Sequence, residues 1–160
     1  MELFLEKCVS KMASVPVDMN TAAITGERIK LDKGQKLAIH CAFGDSTAAV
    51  VTASFQQHTA ASAGTSKALA IHLPYFKKAG AATSFTKVEI STAASSFDLA
   101  ADFAAQEGIV VFEIDANELD VNNNFAWASI DFADSTAAKI VSAVYIVDKC
   151  VNEPAYKTVL

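Results

Sequence analysis

The chain has 160 residues, 52% of them apolar but only 9% aromatic, and a formal net charge of −5 at pH 7. That length suits one domain with an ordinary core, while a charged fraction of 19% falls below the about 25% usual for globular chains and points to extensive buried or partner-covered surface. The acidic balance excludes a phosphate-backbone binder, which needs clustered Lys and Arg. The nearest basic run, Arg28, Lys30, Lys33 and Lys36, is interrupted by Asp32 and reads as a solvated strand and turn.

In chain order, "MELFLEKCVSKMASVPVDMN" comes first. Glu2, Glu6, Lys7 and Lys11 break its apolar positions, so it contains no secretory hydrophobic region. Leu5, Cys8, Val9 and Met12 fall at helical spacing, which predicts either a short amphipathic helix ending before Pro16 or an extended arm lying on a neighbouring subunit. Residues 1–20 are accordingly read as an N-terminal arm and residues 21–160 as one domain. No later run approaches the roughly 18 apolar residues of a membrane span.

From residue 24 onward, short apolar runs alternate with Gly, Asp, Ser and Asn. "KLAIHCAF" (36–43) and "TAAVVTASFQQ" (47–57), separated by "GDS", predict a hairpin. "KALAIHLPYF" (67–76) reads as a strand whose end lies at an edge or terminus, because Pro74 has no amide to donate. "TSFTKVEIS" (83–91), "GIVVFEIDA" (108–116), "NFAWASIDFA" (124–133) and "AKIVSAVYIV" (138–147) follow. Between them, "SSFDLAADFAAQEG" (95–108) is read as a strand and then a turn, in preference to a capped helix. About seven strands at this spacing predict an all-β, antiparallel sandwich or barrel.

Several of these strands are apolar on both faces. In "AKIVSAVYIV", Ile140, Val144 and Ile146 share one parity, while Val141, Ala143, Tyr145 and Val147 share the other. A strand with one face in water should alternate, so a loop, the arm or another subunit is expected over the second face.

The chemical candidates are few. "DVNNNFAWASID" (120–131) begins like a calcium loop, but Phe125 stands where that loop requires Gly and Asp131 where it requires Glu. Its asparagines read instead as turn residues tolerant of left-handed backbone. Three cysteines without metal-type spacing, Cys8, Cys41 and Cys150, fit reduced thiols, with Cys41 a buried hydrophobe. His40 and His72 sit among apolar strand residues, and His58 begins a loop. Asp115, Glu118 and Asp120 read as solvated carboxylates at a strand end. No nucleophile elbow, phosphate loop or dinucleotide motif is present, so neither catalysis nor a cofactor or metal is expected.

Two segments carry a family likeness: "VTASFQQHTAASAGTSKAL", then "VVFEIDANELDVNNNFAWASIDFADSTAAKIVSAVYIVD". Their arrangement resembles the small virion proteins of tailed bacteriophages, in which a Gln-containing strand precedes a polar excursion and an "I-D-A-x-x-L-D" strand leads into a final apolar one. The likeness covers roughly residues 36–150 in organisation and leaves out the first 20. It implies a capsid decoration or cement protein with a jelly-roll-like sandwich, bound to the major capsid protein and to itself within the virion. Leu3, Phe4 and Leu5 of the arm, with Phe125 and Trp127, are the expected contacts. A tail or head–tail connector component would share this fold and composition. A carbohydrate-binding sandwich is the remaining alternative, with only Trp127 and three tyrosines to stack on sugars.

Overall fold

Alternation sets the inside and outside of three long strands. In β4 (Lys36–Phe43), Leu37, Ile39, Cys41 and Phe43 are buried. In β10 (Gly108–Asp115), Val110, Phe112 and Ile114 take that role, and in β12 (Ile140–Asp148), Val141, Ala143, Tyr145 and Val147. These three strands lie side by side in one antiparallel sheet. β1 (Cys8–Asp18) lies beyond β12, and β7 (Tyr75–Ala79) and β8 (Thr86–Val88) lie beyond β10, giving the order β1-β12-β4-β10-β7-β8.

The facing sheet is centred on β11 (Trp127–Phe132) and β5 (Thr52–His58). On its far sides, β2 (Ile24–Thr25) and β3 (Ile29–Lys30) pair with β11, while β6 (Ser66–Ala68) and β9 (Ser96–Asp98) pair with β5. A short helix, α1 (Ala100–Phe103), closes an end of the core with the buried Phe103. This computed structural model describes residues 7–46 and 49–148.

The result is an all-β sandwich with jelly-roll connectivity. With β2 and β3 counted as one strand, the eight principal strands in chain order are β1, β2/β3, β4, β5, β6, β10, β11 and β12. Numbered that way, one sheet runs 1-8-3-6 and the other 2-7-4-5, the interleaving of two Greek keys that defines the fold. The hairpin β7–β8 widens the first sheet.

Aromatic rings join the two layers. Phe55 and Phe97 from one sheet meet Phe112 and Tyr75 from the other, the Phe55 and Phe112 centroids lying 4.9 Å apart. A second group, Phe43, Phe103 and Phe132, fills the other end. Edge-to-face and tilted pairs of this kind add to simple area burial. Tyr145 crosses the core so that its hydroxyl accepts the backbone amide of Ile130 at 3.0 Å.

Three sequence expectations need correction. Residues 36–57 are not a hairpin: β4 and β5 lie in different sheets, and Ala49 and Val51, just before β5, are buried in the shared core. Residues 67–76 are not one strand. β6 belongs to one sheet and β7 to the other, and Pro74 stands just before β7 where no ladder amide is needed. From Cys8 onward the N-terminal segment is β1, paired with β12 from Cys8↔Asp148 to Asp18↔Ile140, so the helical spacing of Cys8, Val9 and Met12 does not become a helix. β1 is extended, as the arm reading had it, but it lies on its own chain. Pro16 falls inside the second register shift of β1, between Ser14 and Val17, where a missing amide costs no ladder bond. Residues 95–108 do begin with a strand, β9, but α1 follows it.

Candidate interaction face

The outer face of the β4-containing sheet carries an organised apolar surface. The register places its side chains in rows perpendicular to the strands. The central row is Met12, Val144, His40, Val111 and Phe76, on β1, β12, β4, β10 and β7. One row towards the Asp148 end lie Ser10, Ile146, Ala38 and Glu113. One row the other way lie Ser142, Ala42, Ile109 and Lys78. Met12 is 43% exposed, Ile109 39% and Ile140 47%, and Val144, Ile146, Val111 and Phe76 are half-buried. The described strands all belong to the two sheets, and the second sheet packs on the opposite, buried parity.

This face bears on the question raised by the two-faced strands. The inward parity of β12 is buried, whereas on the outward parity Ile140 is exposed and Val144 and Ile146 are half-buried among the described residues. Contiguous apolar surface rimmed by charge is a mark of protein–protein contact sites. Here the rim is Lys36 and Glu113 at one end and Lys78 at the other, and none of the three makes an ion pair within the described residues. A shallow pocket of ≈ 260 Å³ indents the face, lined by Cys8, Lys36, Ala38, His40, Glu113 and Ile146.

Of the residues expected to make contacts, Phe125 and Trp127 lie in the other sheet and the loop that leads into it. Phe125 is only 5% exposed, and the Lys67 ammonium lies 4.5 Å from its ring centre. Trp127, half-buried, lies on β11 between Lys30 and His58. Leu3, Phe4 and Leu5 lie outside the described residues, as does Cys150. His40, by contrast, is exposed at the centre of the face, a position compatible with a subunit contact.

The polar residues singled out from sequence are mostly tied into the fold. At the end of β10, Asp115 accepts the Asn117 amide at 2.9 Å, and Glu118 reaches back to the Asp115 amide at 3.0 Å. The other Glu118 oxygen meets His72 Nδ1 at 2.8 Å and accepts the His72 amide at 3.0 Å. The Glu118 side chain is 4% exposed, so the expectation of a solvated carboxylate fails there: it fastens the 69–74 crossing to the end of β10. Asp120 pairs with Lys67 and accepts from Asn123, and the Lys67 hydrogen bond holds its carboxyl below the usual range. Asn124 has φ 65°, the left-handed turn conformation expected of this asparagine run.

Sequence reasoning missed the role of His58. It does not begin a loop; it ends β5 and is 4% exposed. Ser66 Oγ lies 2.7 Å from its Nδ1 and Ser129 Oγ 2.9 Å from its Nε2, while Ser129 Oγ approaches Asp131 at 3.4 Å. Burial, reinforced by the nearby Arg28 cation, lowers the His58 pKa. Arg28 itself donates to the carbonyls of Ala60 and Ala63. Together these bonds fasten the 59–65 loop to β3 and β11. The only available signal in the sequence was the parity of His58 with the outward residues of β5, which does not reveal a polar network. No group of three or more His, Cys, Asp or Glu suited to holding a metal occurs among the described residues.

No protein-family model and no curated protein matches the chain. Among solved structures, that of the SPBc2 prophage-derived protein YomS aligns over 87% of this chain and 92% of its own, with TM-score 0.35 and 12% identity. The structure of infectious bursal disease virus Gx strain aligns over 89% of this chain and 40% of its own, with TM-score 0.26 and 8% identity. The chain is thus similar to these structures only at low identity and low score, and they place it in no family.

Proposed function

We propose that the protein is a non-enzymatic structural component of a tailed-bacteriophage particle, decorating or cementing the capsid through contacts with the major capsid protein and with itself. The observation that carries this reading is the apolar outer face of the β4-containing sheet, from Met12 to Phe76, which the described residues leave partly exposed. A solitary domain gains nothing from leaving Met12, Ile109 and Ile140 in water, whereas a partner surface gains about 25 cal/mol for each Å² of apolar area it covers. Jelly-roll connectivity, which recurs in viral capsid domains, and the likeness of residues 36–150 to small phage virion proteins support the same reading. Fold alone would not, since jelly rolls serve many roles.

Quantitative mass spectrometry of purified particles from the phage or prophage encoding this chain tests the proposal. The expected result is a fixed ratio of this chain to the major capsid protein, with many copies per shell. Absence from the particles would overturn the reading, and a few copies per particle would favour a tail or connector position.

A further inference from the structure

We infer that the outer face of the β4-containing sheet is a homodimer interface, in which two copies meet face to face across a twofold axis running along the row Met12–Val144–His40–Val111–Phe76. The occupant is a second copy of this chain because the face is complementary to itself under that one operation. An isologous contact requires that residue i meet j and j meet i. Rotation about the central row leaves each strand over its own counterpart and exchanges the two flanking rows.

The row of Ser10, Ile146, Ala38 and Glu113 then lies against the partner copy's row of Ser142, Ala42, Ile109 and Lys78. Ile146 covers Ser142 and Ala38 covers Ala42, while Glu113 of each copy comes beside Lys78 of the other, one strand away. Facing sheets pack about 10 Å apart, a gap that an extended Glu and Lys together can span. Neither residue has an ionic partner within its own described chain, and the dimer supplies one to each, twice.

The rival twofold, parallel to the strands through β4, is disfavoured by the same residues. Either rotation sets Glu113 over an isoleucine of the other copy, Ile109 in the first arrangement and Ile146 in this one, but here the facing row holds no lysine to pair with the carboxylate, and the two Lys36 side chains would point at one another. His40, uncharged when deprotonated, is the residue nearest the centre in either arrangement.

Size sets the expected strength. Five strands about 4.8 Å apart and roughly seven residues long at about 3.3 Å each give a flat area of about 550 Å² per copy. The total of about 1,100 Å² is at the lower limit for specific interfaces, so the dimer should dissociate reversibly in the micromolar range.

The pairing deepens the self-contact in the proposed function and rests on it only there. It is tested on the purified chain without any shell, so absence of a dimer and absence from particles are separate results. Sedimentation equilibrium from about 1 μM to 1 mM should show a monomer–dimer equilibrium. Val144→Asp should abolish it. Glu113→Lys and Lys78→Glu should each weaken it by about tenfold or more, and the two together should restore it. Both charge swaps are at surface positions, so the test survives if Val144→Asp fails to fold, and circular dichroism monitors the fold of all variants. A monomer throughout, a larger closed assembly, a dimer insensitive to the single swaps, or no recovery in the double variant would each overturn the assignment.

Discussion

Tyr145 shows how one side chain binds two layers. It belongs to β12, yet its hydroxyl accepts the Ile130 amide on β11 inside the core, and burial raises its pKa well above the ordinary phenol value. Tyr145→Phe would leave that buried amide without its partner, at a cost of about 1–3 kcal/mol; urea unfolding should show a lower midpoint with an unchanged slope. Gly26 stands against the same junction: a Cβ there would lie 2.1 Å from the Ile130 carbonyl oxygen, so only glycine lets the chain approach this closely. His58 makes a different prediction. Its pKa is lowered by burial first and by Arg28 second, so the unfolded chain takes up a proton, near pH 6.5, before the folded one does. Stability should therefore be level above that pH and decline as pH falls through it towards the lower folded value. In His58→Gln, thermal unfolding measured from about pH 8 to 5 should lose this part of the decline. Asp131, whose carboxyl is raised by burial, acts with the opposite sign at lower pH, so the difference between the two proteins is the informative quantity.

At the level of elements, the strands differ sharply in how firmly they are held. β4 has ladder partners on both sides, β12 and β10, and four of its residues are almost wholly buried. β8 is three residues long, lies at the sheet edge, and has two exposed residues and one half-buried. Amide exchange should accordingly find the β4 and β12 amides slowest and those of β8 exchanging through local opening; equal protection in β8 and β4 would contradict the assigned sheet order. β1 is the opposite edge, and its register shifts around Ser14 and Pro16 interrupt a ladder that would otherwise invite pairing by another strand. This is a further reason to place self-association on the sheet face rather than at this edge.

Across the whole molecule, strand existence was legible in the sequence and strand partnership was not. "KLAIHCAF", "GIVVFEID" and "IVSAVYIVD" were each legible as strands, and all three became long strands with one parity buried. The excess of outward apolar residues on β12 was equally visible, because side-chain direction in a strand is a local property. The sequence also supplied Asn124 for a left-handed turn. Which sheet each strand joins is not local: "GDS" between two apolar runs is compatible with a hairpin, and only the cost of leaving Ala49, Val51 and Phe55 uncovered carries the chain across to the facing layer. The same holds for β1, whose side chains allow a helix until β12, the last described strand, offers it an edge. His58 was illegible for a related reason, since Ser66, Ser129 and Asp131 are brought to it by three separate segments. The sequence by itself determined the long strands and the apolar residues on both faces of β12, while the tertiary structure decided the jelly-roll pairing, the buried polar ties and which of those faces the described residues bury. Period is written in neighbouring residues; pairing is settled by competition among distant ones for apolar cover and for hydrogen-bond partners.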